Sequence, residues 1–499
     1  MRQRDKDHLS RRHFLRSAAC AQLGYAGLVN ALTQMRLFTA AANAQSGGPG
    51  DYKALICLFL FGGNDSNNTL IPFNGTHRTR YQNARGILTI PPETLSRIHP
   101  DNDADAWGLH PSCTGMADLF NAGKLAVVQN VGTLVYPIAN RTEYLSGNVP
   151  LPPQLFSHSD QQIQWQSSVP DKPYETGWGG RVADLVNAGY NSDGNVSMSI
   201  SLSGINSFQV GREVIQYVVD KNGATSLWGY GPADNRYRDA LNADGSYKNS
   251  WTGGRLQRFE EIMNFSHANL QEEAYTQVIR RARNYEGTIG SALTEADATT
   301  VDFDALFAGA QTSLGDQLKM IAKLIGGRNS SGNQRQVFFC SVGGYDTHAT
   351  QLSSHGNLMD ELSTGLKAFQ DSIDALGLTD NVLLFEASDF TRTFTPNGSS
   401  DTASGSDHGW GGHKIVMGGP VRGKNLYGHY PNTTPGGPDD AGGTRGRWIP
   451  STSVDQYSSV IAKWFGVDSN AIDTIFPNLG RFDSPFDVAS ANLDFINFA

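Results

Sequence analysis

Seven side chains that can ligate a divalent cation fall in four short clusters, each beside glycine and each close to the end of an apolar run. Asp65 stands in Phe61-Gly62-Gly63-Asn64-Asp65-Ser66, and Asp346 and His348 in Gly343-Gly344-Tyr345-Asp346-Thr347-His348. Asp389 stands in Ala387-Ser388-Asp389-Phe390-Thr391-Arg392, and Asp407, His408 and His413 in Asp407-His408-Gly409-Trp410-Gly411-Gly412-His413. Oxygen and nitrogen donors with no cysteine among them suit a divalent metal such as zinc, magnesium or calcium. Each cluster also has an ordinary account, because Asp and Ser beside glycine are common turn residues. Asp346 or Thr347 would serve equally as the N-cap of a helix beginning near Thr350. Seven donors at one kind of position make a shared site the stronger expectation.

Positioning such a site falls to the apolar runs. Val-, Ile- and Phe-rich stretches at 54–61, 125–131, 196–202, 336–342, 381–387 and 414–418 read as strands. Apolar residues at helical spacing mark 110–122, 180–188, 311–325, 351–376 and 453–464, with a long polar helical stretch over 255–285. Alternation of the two predicts an α/β fold: a central, mostly parallel sheet with helices on both faces, and ligands beyond the carboxyl ends of its strands. Segment 215–300 has few apolar anchors and reads as a helical insertion or cap, within a single domain spanning 45–499. The stretch 395–413 has the composition of a linker, yet its two His and its Trp make it a functional loop expected to be ordered from about Ser406.

Residues 1–44 are set apart from the fold. Ser10-Arg11-Arg12-His13-Phe14-Leu15 is a twin-arginine export pattern, followed by a mildly apolar stretch and by Ala42-Asn43-Ala44, which suits cleavage before Gln45. A periplasmic or secreted protein is expected, passed folded through the twin-arginine translocase. The segment carries seven Arg and Lys against two Asp, so its removal takes the formal charge of −9 to about −14. An acidic chain with no later basic run excludes nucleic acid as an expected partner. No later window holds roughly 18 uninterrupted apolar residues, so no membrane span is expected after cleavage. Cys57, Cys113 and Cys340 remain, an odd number; Cys57 and Cys340 lie within apolar runs, and buried thiols without a disulfide framework are expected.

The succession GLHPSCTGMADLFNAGKLAVVQNVG, FSHSDQQIQWQSS, GGYDTHATQ, ASDFTRT and SDHGWGGH resembles the exported family called domain of unknown function 1501, over nearly the whole mature chain. That family is similar in turn, much more distantly, to the alkaline phosphatase and sulfatase superfamily. The resemblance implies an alkaline-phosphatase-like sheet in which Asp65, Asp346, His348, Asp389 and His408 match metal ligands. Asp346 and His348 are two apart where superfamily members usually space the pair by four, and Phe390 stands where a second imidazole is usual. Asp407, His408 or His413 would restore the set, or the site holds one metal.

A superfamily hydrolase also needs an alcohol nucleophile at a helix N-terminus. Phe156-Ser157-His158-Ser159-Asp160 fits that place, with Ser157 the first choice and Ser159 the second. A plain N-cap at Ser157 with Asp160 as its capping-box partner is the competing account. Arg392 would grip an anionic ester and His158 would protonate the leaving group. The implied activity is metal-dependent hydrolysis of phosphate or sulfate esters, acting on an anionic small-molecule or polymer substrate. Two alternatives stay open: a non-catalytic exported binding or assembly protein with a decayed site, favoured by Phe390, and a serine esterase using Asp65-Ser66, which lacks a downstream Asp and His spaced by three.

Overall fold

The structure is a computed structural model that describes residues 51–192, 194–224, 240, 242, 246–265, 270–400 and 402–498. The export pattern of residues 1–44 lies outside the described residues.

Strand β1 (Lys53–Leu60) is buried along almost its whole length, which its unbroken apolar run requires. Ala54, Ile56, Leu58 and Leu60 point into one core with the helices Thr114–Asn121, Ser313–Gly326 and Gln351–Ala375. Leu55, Cys57 and Phe59 point into a second core with the helices Trp178–Tyr190 and Val454–Phe465. Helices therefore cover both faces of a mixed α/β sheet. Each fully buried aliphatic side chain along such a strand stabilises by about 1.5–3 kcal/mol, so β1 anchors the loop that follows it.

In chain order the further strands are β2 (Leu70–Pro72), β3 (Ser96–Ile98), β4 (Trp107–Leu109), β5 (Leu125–Gly132), β6 (Ser199–Ser201), β7 (Tyr217–Asp220) and β8 (Gly223–Ala224). After them come β9 (Arg335–Val342), β10 (Val382–Ser388), β11 (Gly412–Met417), β12 (Leu426–Gly428) and β13 (Thr452–Ser453). The main sheet has ten strands in the order β12-β5-β11-β10-β1-β9-β6-β7-β8, with β13 paired to β5, and β2, β3 and β4 form a small separate sheet.

All six expected strands are present, with ends shifted by no more than three residues. Their direction departs from expectation at β11, which runs antiparallel to both β10 and β5. A parallel return needs a crossover, usually a helix, and the described residues between Ser388 and Gly412 form none. The connection instead lies across the end of the sheet. It therefore meets the turns that leave the carboxyl ends of β1, β9 and β10.

The polar stretch expected as one helix over 255–285 forms two, Trp251–Asn264 and Leu270–Asp297. Ile289, Ala292 and Ala296 of the second join the first core. Cys57, Cys113 and Cys340 are free and buried. No helix among the described residues is long and apolar enough to cross a membrane.

Candidate metal centre

Three imidazoles and one carboxylate meet beyond the ends of β9 and β10. His348 Nε2 lies 3.0 Å from Asp346 Oδ1 and 3.0 Å from His408 Nε2. His158 Nε2 and His408 Nε2 each lie 3.4 Å from the same Asp346 oxygen. The donor atoms of His158, Asp346 and His408 all lie within 4.8 Å of one another, and the His348 contacts add a fourth donor to Asp346 and His408. Ligand atoms 2.0–2.2 Å from a tetrahedral ion are separated by about 3.3 Å, the spacing these contacts approach.

The far side of each ring fixes which nitrogen carries the proton. His408 Nδ1 is 2.7 Å from the Phe156 carbonyl, which can only accept, so Nδ1 donates and Nε2 keeps its lone pair. His158 Nδ1 is 2.6 Å from Asp389 Oδ2, and His348 Nδ1 is 3.2 Å from Asp407 Oδ1. In each neutral ring the carboxylate accepts a hydrogen bond from the Nδ1–H and so directs the Nε2 lone pair at the common centre. Imidazoles that bind metals are held by such outer partners. The buried His158 Nε2 has no hydrogen-bond partner.

Local folding explains how residues so far apart in sequence converge. The turn after β1 is set by Gly62 at φ +112°, where an added Cβ would stand 2.4 Å from the Asp346 amide nitrogen. Only glycine lets the two turns touch there. The Gly62 N–H points at the Asp389 carboxylate, and the Gly62 carbonyl accepts from Arg392. The β10–β11 connection doubles back so that Arg392 and His408 bridge as antiparallel partners, with the Thr393 N–H donating to the Asp407 carbonyl at 2.8 Å. His158 is the first residue of the helix His158–Ser167, entered through Phe156 in the left-handed region at φ +72°. A bulky residue seldom adopts that conformation; here it turns the carbonyl toward His408.

Electrostatics divides the cluster. The hydrogen bond that His158 donates to Asp389, opposed by the smaller effect of burial, leaves the His158 pKa above the ordinary imidazole value. Burial dominates at His408 and lowers its pKa. Burial opposes ionisation of Asp346, but the hydrogen bond and charge of Arg392 outweigh it and hold the carboxyl below its usual range. The Asp346 and His348 side chains are each 45% exposed, so the cluster opens to solvent.

The expected ligands separate into three groups. Asp346, His348 and His408 come together, and His158, expected as a proton donor to the leaving group, completes the set as a further nitrogen donor. Asp389 and Asp407 stand behind it, each holding a ring nitrogen. Asp65 and His413 are engaged elsewhere. Asp65 is fully buried against Arg85 and Gln351. His413 is buried on β11, accepts the Asn130 N–H at Nδ1 and stacks on Tyr430 at 5.1 Å.

Arg392 is likewise corrected from ligand grip to scaffold. It is fully buried, with Nη1 on Asp346 Oδ1 at 2.6 Å and on the Gly62 carbonyl at 3.2 Å, and Nη2 on the Ser406 carbonyl. Ser157 occupies the N-cap, yet its hydroxyl makes no backbone cap bond and donates to Asp160 Oδ2 at 2.6 Å. Phe390 is the apolar floor, 4.8 Å from the rings of both His158 and His408. Ser66 is fully buried and bonded to Thr391 Oγ1 at 2.8 Å, so the esterase reading loses an accessible nucleophile.

Sequence reasoning missed Arg447. Its Nε donates to the His408 carbonyl at 2.9 Å and its guanidinium lies 4.4 Å from the centre of the Phe156 ring. The signal available was Gly442-Gly443-Thr444-Arg445-Gly446-Arg447-Trp448, two arginines in a glycine-rich turn.

A family model described as "Protein of unknown function (DUF1501)" matches residues 52–436. No curated protein matches. Among solved structures, the chain is similar to Ps i-CgsB in complex with k-i-k-neocarrahexaose at 9% identity and a TM-score of 0.30, covering 87% of this chain and 77% of that one. It is similar to Ps i-CgsB alone at 9% identity and a TM-score of 0.28, with the same coverage.

Proposed function

The chain belongs to the DUF1501 family, and on that premise we propose that it is a divalent-metal-dependent hydrolase of phosphate or sulfate esters, alkaline-phosphatase-like in architecture. One observation carries the reading: three ring nitrogens, each set by a partner on its far side, face one carboxylate oxygen, and one of those nitrogens is buried without a hydrogen bond. Three imidazoles and a carboxylate suit zinc or a similar transition ion better than magnesium or calcium, which favour oxygen. His158, Asp346, His348 and His408 would hold the ion. When bound, such a cation supplies Lewis-acid polarisation of an ester oxygen.

The chain's own residues supply the rest. The Ser157 hydroxyl already donates a hydrogen bond to Asp160 Oδ2, which points its proton at a base. In the proposed displacement, Ser157 Oγ gives that proton to Asp160 and bonds to phosphorus or sulfur while the bond to the alcohol oxygen breaks. The departing alcohol takes the proton back from Asp160. Water then cleaves the Ser157 ester, restores the hydroxyl and releases inorganic phosphate or sulfate. Asp389 and Asp407 hold His158 and His348 in orientation throughout.

A second reading is favoured by the Arg392 contact with Asp346: a site closed by that ion pair, in a binding or assembly protein without turnover. The test is elemental analysis of the protein from Gln45 onward, followed by assays with aryl phosphates and sulfates. One zinc per chain, and turnover lost in both Ser157→Ala and His348→Ala, supports the hydrolase. A folded protein that binds no divalent metal supports the second reading. The same proposal takes residues 1–44 as a twin-arginine signal, checked by N-terminal sequencing of the exported protein.

A further inference from the structure

We propose that Arg447 binds the anionic group of the substrate, through its two terminal guanidinium nitrogens and beside the metal cluster. The inference rests on the reading of the cluster as a site that acts on anionic esters, and it names the residue that recognises them.

Three arginines surround the cluster, and two of them are committed. Arg392 spends its terminal nitrogens on Asp346 and on two carbonyls. Arg445 spends Nε on Thr395 Oγ1 at 3.2 Å and Nη2 on Asp407 Oδ2 at 2.6 Å. Arg447 spends only Nε, on the His408 carbonyl, and its Nη1 and Nη2 have no hydrogen-bond partner among the described residues. Among the described residues, no carboxylate neutralises it by contact. Its position is nevertheless fixed at both ends of the cluster, because the guanidinium stacks on the ring of Phe156, the residue next to Ser157, while its Nε holds the backbone of His408.

The backbone under Arg447 is rigid. Asp440 Oδ1 accepts the N–H groups of Gly442 at 3.2 Å and Arg447 at 3.1 Å, and Oδ2 accepts those of Gly436 at 2.8 Å and Gly446 at 3.1 Å. Trp448, fully buried, donates Nε1 to Asn67 Oδ1 at 3.0 Å. A guanidinium held this way loses little freedom when it meets a ligand, and its planar fork matches two oxygens of a tetrahedral oxyanion. Arg447 is half-buried, its terminal nitrogens have no hydrogen-bond partner among the described residues, and no carboxylate there touches it, so this cation is short of both hydration and a contacting counter-ion. An oxyanion supplies both. Phosphate and sulfate esters present that chemistry, while a neutral ester does not.

The experiment titrates inorganic phosphate, and separately sulfate, into the full protein with and without zinc, following heat and comparing wild type with Arg447→Met and Arg447→Lys. Arg447→Met keeps an apolar stem against Phe156 and should weaken oxyanion binding by about tenfold or more, with Arg447→Lys intermediate, because bidentate charge-assisted bonds are lost. Zinc affinity should fall much less than oxyanion affinity in both, since Arg447 reaches the cluster only through the His408 carbonyl. Wild type that binds neither oxyanion, or Arg447→Met that binds them as tightly as wild type, overturns the proposal. Should zinc fail to bind, the metal reading falls, and the zinc-free titration still decides the role of Arg447. If Arg447→Met does not fold, the charge-retaining Arg447→Lys carries the same comparison.

Discussion

Asp389 Oδ2 lies 2.6 Å from His158 Nδ1, while the other ring nitrogen of His158 faces Asp346 Oδ1 at 3.4 Å. One imidazole thus links a fully buried carboxylate to a half-exposed one. The buried partner is itself fixed, taking a 2.9 Å hydrogen bond from Gln162 Nε2 and the Gly62 N–H. Asp389→Asn removes the charge that orients the ring but leaves every donor atom of the cluster in place. Zinc affinity should fall by about 10- to 100-fold, the usual effect of losing such an outer partner. Calorimetric titration with zinc checks this, and an affinity equal to wild type would sink the assignment of Asp389 as a positioning residue.

Asp65 makes the contrasting case. Its carboxylate and the Arg85 guanidinium are both fully buried, so neutralising one leaves the other charge without a counter-ion. Asp65→Asn should therefore destabilise the protein by about 3–5 kcal/mol, read as a lowered denaturation midpoint. Zinc affinity of the folded fraction should stay near wild type. Loss of zinc without loss of stability would return Asp65 to the metal site.

The apolar runs of β1, β5, β9 and β10 were legible in the sequence because strands buried on both faces must be apolar at every position. The direction of β11 was not, since it depends on whether the preceding connection crosses the sheet. Asp346, His348 and His408 were legible as a group because each sits at a turn beyond a strand end. Asp65 occupies the same kind of turn, but its partner is Arg85, 20 residues later and folded back from the helix Gly75–Arg85. Nothing local distinguishes a turn carboxylate that faces solvent from one that meets a buried guanidinium. His158 reached the cluster through a contact spanning 231 residues, which no spacing rule registers.

Gly62 and Gly343 offer a matched pair of tests in neighbouring turns. A Cβ at Gly62 would meet the backbone of Tyr345 and Asp346 within 3 Å, and its φ of +112° is closed to other residues. At Gly343 a Cβ meets nothing within 4 Å. Gly62→Ala should lower stability by about 1–3 kcal/mol or more and loosen zinc binding, because the Asp346 turn must move away. Gly343→Ala should leave both near wild type. Equal behaviour of the two variants in thermal melts and zinc titrations would refute the close approach.

His413 gives the pH dependence its sign. Burial, with a smaller contribution from the Lys414 charge, lowers its pKa to about 3, and the Asn130 N–H pointing at Nδ1 is compatible only with an unprotonated nitrogen there. The unfolded chain binds a proton on this ring near pH 6.5, whereas the folded chain resists it until about pH 3. Between those values the unfolded state holds more protons, so the stability this residue contributes is complete above about pH 6.5 and is lost as pH falls. The loss from one such group runs at about 1.4 kcal/mol per pH unit. His413→Gln keeps an acceptor but cannot titrate, and it also gives up the stacking on Tyr430. It should therefore start less stable at pH 8 and decline more shallowly than wild type between pH 6 and pH 4, by about one proton in the slope. Urea denaturation at a series of pH values measures that slope; parallel profiles for the two proteins would show that His413 titrates alike in the folded and unfolded chain, contrary to its burial.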